Sequence, residues 1–400
     1  MSARRSGYWK PVAAAMFCCG WGGNQFTPLL IMYRQHGLSA LAVDSLLGAY
    51  VFGLVPGLLM AGGLSDRYGR RPVMIAGTVL SLVASVFLAM GEWGSTWIAL
   101  GRFLTGIAVA VAMAVGSTWI KELSDLDESG ADSGARRATL WLTLGFGVGP
   151  GVAGVLAQWG PRPMEVPYLV HVLVALVVVP VLVLGTRAAP TTVPTGAEAG
   201  SRFGGARHPR FLRVVIPMAP WIFGSAGVAY AIMPQLVGER LGSWGLPYST
   251  LVTVCTLGAG VLIQPVAGWL DRETSARAVV VSMIVMSMGL AVSAIAATIG
   301  SPLVALGAAI VLGAAYGIAV VSGLLELQRM SRPDELAGLT GIYYALAYVG
   351  FLVPSVLQLL NAVASYPVLL SGLAVIALLG TAVIARHSRA HLPVTASSAF

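Results

Sequence analysis

An acid set among arginines can hold basic side chains in one arrangement of a molecule and release them in another. Gly62-Gly-Leu-Ser-Asp66-Arg67-Tyr-Gly69-Arg70-Arg71 places one acid against three arginines in this way. Its glycines let neighbouring helix ends approach closely. Arg102, in Leu100-Gly-Arg102-Phe-Leu-Thr-Gly106, offers a different chemistry. A guanidinium keeps its proton at any reachable pH, so within an apolar helix it needs a partner, water or a polar cavity, unless it snorkels to the nearer interface. The titratable residues in or beside apolar runs are Asp44, Glu92, His171 and Glu326. Asp44, at the level of Arg34, ranks first among them: partial withdrawal from water raises an acid's pKa and an adjacent arginine lowers it again, and a plain interfacial acid is the alternative reading. Ligand-binding chemistry is suggested by polar and aromatic residues at mid-membrane depth: Trp21, Asn24 and Gln25 on one helix face, then Tyr230, Gln264, Tyr316, Tyr343 and Tyr344. Any one of these alone also fits a satisfied bond between helices.

The elements that carry these residues are set by hydropathy. The chain has 400 residues, of which 57% are hydrophobic and 10% charged, with a mean hydropathy of +0.82. That leaves too little polar surface for a soluble globule and predicts an all-α polytopic membrane protein. Apolar stretches of about twenty residues fall near 11–33, 45–62, 73–91, 97–120, 139–158, 167–186, 213–237, 248–270, 278–299, 303–327, 337–361 and 366–386. The charged segment at Asp66 is predicted to be a loop between the second and third of these twelve. With a cytoplasmic N-terminus, all of the 24 basic residues except Arg34, Arg162, Arg240 and the intrahelical Arg102 sort to the inner side. Arg4, Arg5, Arg202 and Arg332 are among those sorted inward. The positive-inside rule then predicts both termini in the cytoplasm of a cell (inner) membrane protein.

Several function classes find no support. The first apolar segment is longer than a secretory h-region and carries Trp21, Asn24, Gln25 and Pro28, so an uncleaved helix is expected. Cys18, Cys19 and Cys255 lie in predicted helices without paired Cys or His spacing, which predicts small core residues and no metal site. The formal charge of +8 reflects membrane topology, and no nucleic-acid partner is expected. Gly149, Gly151 and Gly154 formally match Gly-x-Gly-x-x-Gly, yet Pro150 occupies the second position and no strand precedes it, so a dinucleotide site is rejected. No Walker loop, His-Glu-x-x-His or Gly-x-Ser-x-Gly is present, so the chain reads as neither an ATPase nor an enzyme and no cofactor is expected.

A faint internal repeat divides the chain. Asp66-Arg67 recurs 205 residues later as Asp271-Arg272, and Phe17, Pro28 and Arg34 match Phe223, Pro234 and Arg240 at an offset of 206. The segment 188–210 is rich in Ala, Pro, Thr and Gly. The expected organisation is therefore an N-terminal six-helix bundle at 1–187, a cytoplasmic linker at 188–210, a second bundle at 211–387 and a tail at 388–400. The second-half loop, Asp271-Arg272-Glu273-Thr-Ser-Ala-Arg277, lacks the glycine and double arginine of the first.

The pattern Gly-x-Leu-x-Asp-Arg-x-Gly-Arg-Arg at 62–71 resembles the signature loop of the major facilitator superfamily of secondary transporters. The resemblance implies twelve transmembrane helices in two pseudo-symmetric six-helix bundles that work by alternating access. It makes Gly62, Asp66, Arg67, Gly69, Arg70 and Arg71 a conformational latch, acting through the first bundle against helices of the second, and Arg102 a residue of proton coupling or substrate binding. Gly145-x3-Gly149-Pro150-x2-Ala153-Gly154 resembles the fifth-helix motif of the proton antiporters, with Ala153 in place of one glycine; as small residues alone, the same stretch would serve close helix packing. The expected function is proton-coupled efflux of a small amphipathic or hydrophobic drug or natural product by a monomer in the lipid bilayer. Coupling candidates are Arg102, Asp44, Arg34, His171 and Glu326. A proton-coupled uptake symporter shares every loop motif and remains open, as does a membrane sensor or scaffold on the same fold.

Overall fold

The computed structural model describes residues 7–125, 133–189, 204–330 and 335–392. Arg4, Arg5, Arg202 and Arg332, most of the expected linker and the end of the expected tail lie outside the described residues. Among the described residues eleven helices are long and apolar enough to cross a membrane: Ala40–Tyr68, Arg70–Ala89, Ser95–Asp125, Arg136–Trp159, Val166–Gly185, Phe211–Gly238, Gly242–Leu270, Arg277–Ile299, Pro302–Met330, Gly338–Leu360 and Tyr366–His387. They are the second to twelfth spans. The first is interrupted: Trp9–Asn24 ends, a short 3-10 turn follows at Thr27–Leu29, and Leu30–Gln35 completes the crossing. Pro28 supplies the break, since it cannot donate to the turn before it.

The predicted loop at Asp66 is a correction. The second span stays helical through Tyr68 and the third begins at Arg70, so the turn is Gly69 alone. Its φ of 92° is one that a side chain would strain, and its N–H closes the helix on the Ser65 carbonyl. Charged residues leave the apolar zone while the backbone continues its hydrogen-bonded ladder, which is why hydropathy ended this helix too early.

The chain divides into two compact units, Met1–Gly196 with Gly238–Val254, and Ala197–Val237 with Cys255–Phe400. Each inverts the soluble pattern on its outside, where residues such as Leu173, Val177, Leu379 and Val368 are exposed and apolar. Inside the first unit, small residues set the packing. A Cβ on Gly106 would come 2.1 Å from the Tyr50 carbonyl oxygen, and one on Gly53 2.0 Å from that of Phe103, so the second and fourth spans meet backbone to backbone. The seventh span is continuous but departs from α-helical form at the register of the sequence repeat. A π-helical turn at Val228–Ile232 occupies the place in the seventh span that the break after Asn24 holds in the first. Such turns free backbone groups from the regular ladder and recur at functional sites.

Candidate functional site

Breaking the first span leaves the carbonyls of its last turn without intrahelical donors. Arg102 reaches one of them: its Nη1 donates to the Gly23 carbonyl at 3.1 Å, and its Nε to that of Leu46 at 3.4 Å. The guanidinium carbon lies 4.7 Å from the Phe26 ring centre and 4.4 Å from that of Tyr50. Arg102 is 2% exposed, so it does not snorkel outward; it is a buried cation held by carbonyls and π-faces. Gly53 and Gly106 make this possible by bringing Tyr50 close to the fourth span.

Phe26 stacks on Tyr33 at 5.2 Å, and the Tyr33 and Tyr168 hydroxyls are 2.7 Å apart. Beside Tyr33, Arg34 donates to Asp44 at 2.6 Å. Asp44, one residue before the apolar stretch expected at 45–62, is fully buried. The structure therefore joins Arg34 and Asp44 directly and carries Arg102 toward them through Phe26 and Tyr33.

His171 belongs to a second cluster in the same unit. Its Nε2 is 2.9 Å from the Cys18 carbonyl, which can only accept, so Nε2 carries the proton. In the neutral ring Nδ1 then accepts from the Ser85 hydroxyl at 2.7 Å, and Ser85 Oγ accepts from Gln25 Nε2 at 2.9 Å. Gln25 Oε1 and Trp21 Nε1 are buried without a hydrogen-bond partner among the described residues. Asn24 is half-buried and donates to the Phe146 carbonyl at 3.4 Å. Cys18 and Cys19 are buried core residues and Cys255 is half-buried.

The fifth-span glycines divide by face. A Cβ on Gly145 would meet the Phe17 carbonyl oxygen at 2.2 Å and one on Gly149 the Trp21 carbonyl oxygen at 2.7 Å, which sets the fifth span against the first, with Pro150 inside the helix. Gly154 instead faces Thr250 of the same unit, whose Oγ1 would lie 2.0 Å from an added Cβ. At the Asp66 end, Arg70 Nη1 donates to Asp66 at 2.6 Å and to Ser65 at 2.7 Å, and its Nε to Glu122 at 3.2 Å. Arg71 donates to Thr186 and to the Val183 carbonyl. Arg67 lies 5.2 Å from the Tyr68 ring centre, and Gly62 has open space where a side chain would be.

In the second unit, the aromatic candidates separate. Phe223 stacks on Tyr348 at 4.0 Å and lies 6.1 Å from Tyr316 and 5.0 Å from Phe351, which Tyr230 approaches at 6.2 Å. Tyr343 is 5.3 Å from Tyr344, but its hydroxyl donates to the Ala319 and Val320 carbonyls, so it ties the eleventh span to the tenth. Gln264 is half-buried at the start of the short Gln264–Leu270 helix. Glu326 is buried and accepts from Arg210 through both oxygens, at 2.6 and 2.9 Å, and from Arg329, which also pairs with Asp271. The second half thus rebuilds the acid–arginine–acid arrangement with Asp271, Arg329 and Glu326, drawing its arginine from the tenth span.

Sequence reading missed Ser81 and Ser85, although Thr78, Ser81 and Ser85 form a polar stripe at helical spacing. It also missed Tyr33, Tyr168, Glu122, Phe223, Tyr348 and Phe351. Arg210 was counted only as a basic residue of the linker.

The family model of the Major Facilitator Superfamily matches residues 12–354. The chain belongs to that superfamily. Curated relatives of this facilitator include multidrug resistance protein MdtL from Shigella flexneri serotype 5b (strain 8401) and from Escherichia coli (strain K12 / DH10B), each 36% identical over 76 residues. That stretch is 19% of this chain and 19% of either relative, so the chain spans about a fifth of the length of the relatives it matches. Among solved structures, a POT family transporter in complex with 5-aminolevulinic acid resembles the facilitator with TM-score 0.75 at 12% identity, over 95% of this chain and 96% of that one. A mutant of nucleoside transporter NupG does so with TM-score 0.73 at 12% identity, over 94% and 100%. These two structures share its fold.

Proposed function

We propose that this facilitator exports a small amphipathic or hydrophobic compound in exchange for protons, working by alternating access as a monomer in the cell (inner) membrane with both termini cytoplasmic. The observation that carries the reading is the buried ionisable set at the broken first span, Arg34–Asp44 with Arg102. Charged side chains buried inside a membrane protein are costly and mark ion or substrate pathways. Asp44 is the proton carrier in this reading: protonation releases Arg34, and deprotonation restores the pair. The ring cluster of Phe223, Tyr230, Tyr316 and Tyr348 in the second unit suits an amphipathic cargo. The short stretch of likeness to multidrug resistance proteins supports the same cargo class, and the fifth-span glycines support antiport.

Everted vesicles test direction and coupling together. Adding a transported compound to energised vesicles is expected to release protons from the lumen, and Asp44→Asn is expected to abolish that release. Proton uptake in the same sense as the compound would establish the symporter instead, and silence across a broad compound panel would favour the sensor.

A further inference from the structure

At one end of the second unit, a cavity of about 630 Å³ is lined by Arg272, Thr274, Ser275, Arg277, Arg386 and Arg389, together with Val280, Val281, Ala385 and Ser388. No acid lines it. Arg272, Arg386 and Arg389 are exposed and Arg277 is half-buried, and none of the four forms an ion pair among the described residues. Glu273 is exposed and lies outside the lining. The cavity sits where the ninth span begins and the twelfth ends. The first turn of the 23-residue ninth span has no acidic residue, so its positive dipole end adds to the arginines.

The surroundings distinguish between possible anions. Val280, Ile284 and Met288 recur at four-residue spacing along the ninth span, with Ile284 and Met288 exposed. On the twelfth, Val383 and Leu379 lie three and seven residues before Arg386 on its helical face, and both are exposed. Trp269, 77% exposed, stands with its ring centre 6.0 Å from the Arg277 guanidinium, the amphipathic ring type found at membrane–water boundaries. A roomy cationic cavity at the head of two aliphatic helix faces fits an amphiphile. Free inorganic phosphate would use the arginines and leave the faces unused.

We propose that this cavity binds the phosphodiester headgroup of an anionic phospholipid, whose acyl chains lie along the Ile284 and Leu379 faces of the ninth and twelfth spans. Basic pockets between membrane helices have the charge and depth for such headgroups. The site touches the internal framework of its unit: the Ser388 carbonyl in its wall accepts from the Ala276 N–H at 3.0 Å and from Arg210 Nη1 at 3.1 Å, and Arg210 holds Glu326. A bound lipid therefore reinforces the joint between the seventh, ninth, tenth and twelfth spans.

The test uses the purified full chain in detergent, with thermal unfolding and native mass spectrometry read after adding dioleoylphosphatidylglycerol, dioleoylphosphatidylcholine or inorganic phosphate. Phosphatidylglycerol is expected to raise the unfolding midpoint and survive as a bound adduct, with phosphatidylcholine and inorganic phosphate giving neither effect. Arg386→Ala/Arg389→Ala is expected to weaken phosphatidylglycerol retention about tenfold, equivalent to about 1.4 kcal/mol, with an unchanged midpoint in lipid-free detergent. Should that pair fold poorly, Arg272→Ala/Arg386→Ala serves, with Arg162→Ala as the basic control elsewhere. Equal shifts from phosphatidylcholine overturn the proposal. So does an equal shift from inorganic phosphate, which would assign the cavity to a free anion, or undiminished adducts in both arginine pairs.

Discussion

Arg102 shows why a single side chain in a membrane span needs its neighbours before its chemistry can be stated. Its planar group lies against two rings while donating to two carbonyls, a combination that an ammonium cannot reproduce. Arg102→Lys is therefore expected to lower the transport rate about tenfold, the equivalent of about 1.4 kcal/mol, measured by compound efflux from cells with equal membrane abundance. Asp66 stands differently. Arg70 retains Glu122 and Ser65 when Asp66 is neutralised, so Asp66→Asn is expected to leave membrane abundance near wild type while abolishing transport. Full activity in that variant would sink the latch assignment. The residues of both sites were largely legible from sequence as charges and polar groups out of place. Their partners were not, because Gly23, Leu46 and Val183 contribute carbonyls, and a carbonyl leaves no mark in residue type.

Helices in this protein are placed by what is missing from them. Gly106 has no room for a methyl group against the Tyr50 carbonyl, whereas Gly62 faces open space. Gly106→Val is thus expected to lower the unfolding midpoint sharply, by separating the second and fourth spans, and Gly62→Ala to leave it unchanged; thermal unfolding of the purified variants in one detergent reads both. Loss of transport in Gly62→Ala with an unchanged midpoint would assign that glycine to the working cycle rather than to folding. Hydropathy located the spans to within a few residues, since apolarity over a window of about twenty is a local property. It placed the end of the second span too early, because the six helical residues after Gly62 include the charged pair Asp66-Arg67. The break in the first span is legible in Pro28, while the π-turn at Val228–Ile232 has no proline within it to announce it.

For the whole molecule, the two halves turn out more alike than their loops. Asp66–Arg70–Glu122 and Asp271–Arg329–Glu326 are equivalent arrangements built from different elements, and the second is anchored further by the buried Arg210. Breaking a buried ion pair leaves the other charge uncompensated, so Arg210→Met is expected to destabilise the second unit by about 3–5 kcal/mol, and Arg210→Met/Glu326→Leu to recover most of that loss; denaturant unfolding of the two variants checks the difference. The amino-acid sequence alone determined the class, the spans and the superfamily resemblance, because length, hydropathy and a contiguous charged motif are written along the chain. Only the tertiary structure decided that Arg102 is buried, that His171 donates to Cys18, that Tyr343 is spent on backbone and that Arg210 clamps Glu326. Those pairings join residues 56 to 153 positions apart, except for Tyr343 at 23 and 24, and depend on which helix faces meet. Small-residue contacts and broken helices settle that in three dimensions.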